Sequence, residues 1–150
     1  MLNADIHFME TAITLAQDAA EKGEIPVGSV LVKDSQVLSA SGNSPISNDD
    51  PSAHAEINVL RAAGKLIGNY RLVETCLYTT LEPCVMCAGA ILNARVKRVV
   101  FGAYDMKSGA CGSVLNVFEN RKLNHHTEVV GGLMASECAE LLKIFFKERR

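Results

Sequence analysis

Two short strings constrain this chain more than any other feature: His54-Ala55-Glu56 and Pro83-Cys84-Val85-Met86-Cys87. They offer one imidazole, two thiols and one carboxylate. An α-helix turns about 100° per residue, so residues two apart point about 200° apart. His54 and Glu56 cannot share a pocket from the middle of a helix, but they can in its first turn beside an irregular loop. Cys84 and Cys87 are three apart and share one helix face. The spacing therefore places each string at a helix N-terminus, and the fold has to bring two such termini together. There the macrodipole favours anions and lowers thiol pKa values. A structural zinc takes four protein ligands, whereas a hydrolytic zinc takes three and keeps one place for water. His54, Cys84 and Cys87 make three ligands for one zinc per subunit. Glu56 is left over to move the water's protons.

The rest of the chain alternates. Ile6, Met9, Ile13, Ala16 and Ala20 step by three and four, an amphipathic helix that Gly23 stops. Val27 to Val32 and Gln36 to Ala40 are β-rich runs joined through Lys33-Asp34-Ser35, a hairpin. Gly42, Pro45 and Pro51 make residues 41–52 an irregular loop. A helix follows from His54 to about Lys65, with Gly64 weakening its end, then a strand over Thr75–Thr80. Pro83 opens a second helix over Cys84–Asn93. Val96–Phe101 and Thr127–Val130 are strands, residues 103–126 show no period, and a last helix runs from about Ser136 to Arg149. Five strands with interleaved helices predict an α/β fold: a three-layer α/β/α sandwich on a mixed five-stranded sheet, in one domain over residues 1–150. The hairpin is antiparallel, and each later strand, following a helix, is expected to lie parallel to its neighbour. A site belongs where strand ends meet helix starts.

With 48% hydrophobic residues the chain has enough apolar material for a core, and its net charge of −2 advertises no global affinity for nucleic acid. Two local basic clusters stand out, Arg121, Lys122, His125, His126 and Lys143, Lys147, Arg149, Arg150; the plain reading of either is a solvated surface. Five cysteines, an odd number, with two as C-x-x-C, favour a reducing compartment and metal binding over a disulfide framework. Cys76, Cys111 and Cys138 read as free core thiols. Neither a membrane span nor a secretory signal is visible, so the expected location is cytoplasmic.

C-x-x-C alone would also fit a redox pair or half of a zinc ribbon, but no second C-x-x-C completes a ribbon. H-x-E with P-C-x-x-C is the signature of zinc-dependent nucleobase deaminases. The chain resembles the bacterial tRNA-specific adenosine deaminases, within the cytidine deaminase-like superfamily. The resemblance is carried by Ile25-Pro26-Val27-Gly28, by residues 50–57 around His54-Ala55-Glu56, by Asn69-Tyr70-Arg71-Leu72, by residues 80–90 around the cysteines, by Val99-Val100-Phe101-Gly102 and by Asn124-His125. It implies conversion of adenosine to inosine at the wobble position of a tRNA anticodon, and a homodimer holding the anticodon stem-loop near the subunit boundary. It assigns His54, Cys84 and Cys87 to zinc and Glu56 to proton transfer. Asn43 matches an adenine-contacting residue, although by position alone it is a turn residue after Gly42. Val27 and Leu81 match apolar residues around the base, and Asp105, Lys107 and Asn124 match positions that touch the anticodon loop. Of Phe145 and Phe146, at most one is free to stack on a base. Three other readings stay open: a deaminase of free guanine or cytidine, a non-catalytic RNA-binding subunit, and a structural zinc site.

Overall fold

The protein is described here by a computed structural model covering residues 2–149. The elements are α1 (Leu2–Glu21), β1 (Gly28–Lys33), β2 (Gln36–Gly42), α2 (Pro45–Asn48), α3 (Ala55–Ile67), β3 (Cys76–Leu81), α4 (Val85–Asn93), β4 (Arg98–Ala103), a 3₁₀ turn (Val117–Glu119), β5 (Glu128–Gly131) and α5 (Ala135–Glu148). The five strands form one sheet in the order β2-β1-β3-β4-β5. The expected mixed α/β architecture is therefore present. Among the described residues, no helix is long and apolar enough to cross a membrane.

The hairpin turns through Asp34 and Ser35, both at positive φ (51° and 61°), the conformation of a type I′ turn. Alternation then sorts the strand side chains. Val30, Val32, Tyr78 and Val100 meet Phe8, Met9 and Ala12 of α1 and Cys138 of α5. Leu31, Leu77 and Val99 face the other way, onto Val59, Leu60 and Ala63 of α3 and Ala88 and Ile91 of α4. α1 buries the stripe Phe8, Met9, Ala12, Ala16 and Ala19, turned slightly from the predicted one, with Met9 and Ala16 common to both. Its small residues let the backbone lie almost on the hairpin: a Cβ at Gly28 would come within 2.0 Å of the Ala12 carbonyl oxygen. Asp5 clamps the same helix to the sheet. It accepts two 2.9 Å hydrogen bonds from Arg98 and one of 2.6 Å from the Tyr78 hydroxyl.

One expectation about strand direction is corrected. β3 follows α3 yet runs antiparallel to its neighbour β1, while β4 and β5 are parallel to the strands beside them. The crossover through α3 does return the chain parallel to β2, as a helical crossover must, but it passes over β1 and lands on β1's far side. The irregular loop before His54 also contains the single-turn α2. β4 starts two residues later than Val96, which is instead buried in the turn before it. α3 runs through Gly64 and ends at Gly68, whose φ of 71° no helix residue would take.

Candidate active site

Four chain segments reach the same end of the sheet. Gly28 pairs with Gly42, Ser29 with Thr79, and Leu81 with Ala103. The start of β1 and the ends of β2, β3 and β4 are therefore adjacent, and α3 and α4 begin beside them. Because β1 is inserted antiparallel between β2 and β3, Val27 arrives next to Leu81, and Asn43 next to both.

His54 and Cys84 are the N-cap residues of α3 and α4, both with extended backbone (φ −66°, ψ 152° and φ −78°, ψ 177°). Glu56 and Cys87 sit inside the first turns. The cap position resolves the 200° problem, since His54 leaves the helix path and turns back toward Glu56. His54 Nδ1 lies 3.4 Å from Cys87 Sγ and 3.7 Å from Cys84 Sγ. The three ligand atoms all lie within 4.8 Å of one another, a cluster that could hold a metal ion. Pro83 stands just outside the helix rather than in its first turn, and its carbonyl accepts the Ala110 N–H at 2.8 Å.

Mutual hydrogen bonds and burial shift all four groups. The hydrogen bond from Cys87, with help from His54, brings the Cys84 thiol down to about 4 against the cost of burial. The same bond and burial push Cys87 up. Its bond to Cys84 raises His54. Burial holds the Glu56 carboxyl above its ordinary range, and only 4% of that residue is exposed.

His54, Glu56 and Cys84 border a cavity of about 170 Å³, lined also by Ile25, Val27, Asn43, Leu81, Glu82, Asp105 and Ser108, with Cys87 buried behind it. That is below the roughly 300–1,000 Å³ of drug-sized pockets and on the scale of a single ring system. Ile25, Leu81, Asp105 and Ser108 continue into a second, open groove of about 740 Å³, lined further by Tyr104, Met106, Lys107, Leu142, Lys143, Phe146 and Lys147. Lys107 thus lies in the groove and not in the cavity. Phe145 is buried under the Arg149 guanidinium, 3.5 Å from its ring centroid, whereas Phe146 is exposed. Asn124 is exposed and lines neither space. It precedes β5 beside His125, whose ring nitrogen meets the Val96 carbonyl, and so lies toward the opposite sheet end. Arg150 of the C-terminal cluster falls outside the described residues.

A sequence profile for MafB19-like deaminases matches residues 3–150. The chain belongs to this deaminase family. It is 52% identical to the tRNA-specific adenosine deaminase of Haemophilus influenzae over 97% of this chain and 85% of that protein. The Bacillus subtilis tRNA-specific adenosine deaminase is 42% identical over 99% of this chain and 92% of its own length. A solved structure from studies of A-to-I editing by tRNA:A34 deaminases at the wobble position of transfer RNA superposes with a TM-score of 0.88 and 46% identity, covering 91% of this chain and 99% of that one. A guanine deaminase from Bacillus subtilis superposes with a TM-score of 0.64 and 41% identity, over 65% of this chain and 63% of that one.

The sequence marked Ile25 only as part of the family resemblance and did not single out Ser108, although both line the deaminase's cavity, nor Glu24, which fastens the segment that follows the cavity-lining Asn43. Glu24 is 1% exposed and accepts hydrogen bonds from the Ile46 and Ser47 N–H groups and the Ser47 hydroxyl, pinning α2 and the loop that follows Asn43. Those backbone bonds and the Ser47 hydroxyl outweigh the burial that would raise its pKa, and the carboxyl ends below its usual range. A lone Glu between Gly23 and Ile25-Pro26 was the available signal, since that segment leads directly into a buried strand.

Proposed function

We propose that this deaminase converts adenosine to inosine at the wobble position of a tRNA anticodon. The observation that carries the reading is one sheet end where Glu56 and Asn43 share a ring-sized cavity with the His54, Cys84, Cys87 cluster, and where that cavity opens into a groove bearing Lys107, Lys143, Lys147 and Phe146. A free nucleobase has no use for the groove; an RNA loop does. The activity carried in the names of the relatives at 52% and 42% identity points the same way.

One nitrogen and two sulfur donors suit zinc. Tetrahedral bonds of about 2.0–2.3 Å put ligand atoms roughly 3.4–3.8 Å apart, and the spacings from His54 Nδ1 to the two thiols are 3.4 and 3.7 Å. His54, Cys84 and Cys87 would hold one zinc ion per chain. When bound, it supplies the Lewis acidity that makes hydroxide available near neutral pH. Glu56 takes a proton from the attacking water, gives it to a ring nitrogen of the purine, and delivers the next to the departing ammonia. A buried carboxylate of raised proton affinity suits both steps. Asn43 pairs with the purine edge through an amide that both donates and accepts. Val27 and Leu81 pack against the base. Unpaired loop bases are the form in which RNA is read by sequence, and a base already splayed out costs little to insert. Phe146 offers a stacking face, the lysines offer phosphate contacts, and Asp105 borders both spaces.

We also infer a homodimer. The outer face of α3 and α4 carries an apolar groove of about 580 Å³ lined by Ile57, Leu60, Tyr70, Leu72 and Ala90, with Leu66, Ile67, Val85 and Met86 exposed around it. Val85 and Met86 adjoin Cys84, so a partner seated there borders the cavity. Asn124, remote from its own cavity, would then reach RNA held across the two subunits. A tRNA substrate and five unpaired thiols support a cytoplasmic location.

The test is inosine formation by the purified zinc protein on an anticodon stem-loop, beside free guanine, cytidine and adenosine. Activity on a free base or nucleoside with none on RNA overturns the reading. Sedimentation analysis of the RNA-free protein checks the dimer.

A further inference from the structure

We propose that Glu82 is a positioning residue for this reaction: its buried carboxylate hangs the Asp105–Ser113 wall of the cavity from the loop that carries Cys84. The proposal rests on the deaminase reading above and concerns how that site is held open to its substrate.

Glu82 is 2% exposed and stands two residues before Cys84. Four donors converge on it and all come from one segment. Oε1 accepts the Asp105 N–H at 3.1 Å and the Ser113 hydroxyl. Oε2 accepts the Cys111 N–H at 2.9 Å and the Ser113 N–H at 3.1 Å. The segment has no regular structure to satisfy these groups, and a buried N–H without a partner is costly. The carboxylate thus replaces a sheet or helix as the acceptor for a stretch that would otherwise have no reason to adopt one path.

The wall moves with that carboxylate because its own turn is closed. Asp105 accepts the Lys107 N–H at 3.0 Å, the Ser108 N–H at 3.2 Å and the Ser108 hydroxyl at 2.8 Å. Asp105 and Ser108, the two residues of this turn that line the cavity, therefore form one unit suspended by the Asp105 N–H. Packing shows how close the fit is: a Cβ on Gly109 would lie 2.4 Å from the Glu82 carboxyl carbon. The far side is tied to the metal-ligand loop through the Cys84–Gly109 bridge and the Ala110 bond to Pro83. The groups that react come from α3 and α4 and do not hang on Glu82. Loosening the wall should therefore weaken substrate binding while leaving the chemical step of bound substrate nearly intact.

Glu82→Gln keeps the shape but cannot keep the bonds. An amide has one acceptor oxygen and one NH₂, and either orientation turns an NH₂ toward a backbone N–H. In the zinc-loaded protein, we expect unchanged zinc content, KM for the stem-loop raised at least tenfold, and kcat within threefold of wild type. Amide hydrogen exchange across residues 105–113 should rise at least tenfold, with β4 unchanged. Ser113→Ala removes one donor and should move KM and exchange in the same direction by less; it decides the matter if Glu82→Gln does not fold. KM within twofold of wild type, a loss confined to kcat, or unchanged exchange in residues 105–113 overturns the proposal. Should the wild-type protein make no inosine on RNA, the deaminase reading falls instead, and the exchange comparison alone decides the role of Glu82.

Discussion

Replacing Glu56 with Gln tests the proton-transfer role with the least disturbance, because the side chain keeps its shape inside a site where only 4% of it is exposed. The size of the expected loss follows from what else could take over. Two other carboxylates border the cavity. Glu82 spends both oxygens on four donors from residues 105–113, and Asp105 spends its own on the turn at 107–108. All four oxygens already accept at least one bond from that segment, so neither carboxylate is a ready substitute. General acid–base catalysis contributes about 10²–10⁴ in rate, and with no substitute at hand the loss belongs in the upper part of that range. We expect kcat to fall about 10³–10⁴-fold, roughly 4–5.5 kcal/mol on the barrier. Zinc content and KM should stay close to wild type, because Glu56 is not part of the His54, Cys84, Cys87 cluster that could hold the metal. Single-turnover inosine formation on the stem-loop, with metal analysis of the same preparation, makes the measurement. A kcat within tenfold of wild type refutes the proton-shuttle assignment. Loss of zinc in step with loss of rate would instead make Glu56 a ligand.

Phe146→Ala should leave the melting temperature nearly unchanged and raise KM for RNA about fivefold or more, as expected from a lost stack of at least about 1 kcal/mol. Phe145→Ala, in the core, should cost about 3–5 kcal/mol of stability by denaturant titration. Asp5→Ala leaves the part-buried Arg98 and the Tyr78 hydroxyl unpaired; a loss of about 3 kcal/mol lowers the melting temperature by roughly 6–12 °C in calorimetry. Because the Arg98 hydrogen bonds hold Asp5 below its ordinary value of 3.8, its contribution is complete above that pH and is lost as pH falls through the lower folded-state value. The gap in melting temperature between wild type and Asp5→Ala should therefore be flat from about pH 5 to 8 and close only in acid. Chelation should abolish inosine formation and lower the melting temperature, with both restored by added zinc.

The features legible in the sequence were those encoded within a few residues. The α1 stripe, the hairpin turn and the period-2 strands each depend on neighbours, and the structure places them within a residue or two of expectation. The direction of β3 relative to β1 was not legible, because a crossover sets direction relative to the strand it leaves and says nothing about which strand it passes. That detail matters for the site. Had β3 settled beside β2, the start of β1 would lie one strand further away, and Val27 would not border the cavity with Leu81.

The same division runs through the site itself. His54, Glu56, Cys84 and Cys87 are separated by two or three residues within each string, so helix geometry alone forces them to converge at a helix start. The cavity walls obey no such rule. Glu24 reaches 22 and 23 residues along the chain to Ile46 and Ser47, and Glu82 reaches 23 to 31 residues to Asp105, Cys111 and Ser113. No periodicity marks an acceptor of that kind; the signal is only an acidic residue abutting an apolar strand. In the proposed site the chemistry is thus written locally and the shape of the cavity at long range. Substitutions that change which base or loop is accepted are therefore expected at the two carboxylates and the segments they hold, and substitutions that abolish the reaction at the two helix starts.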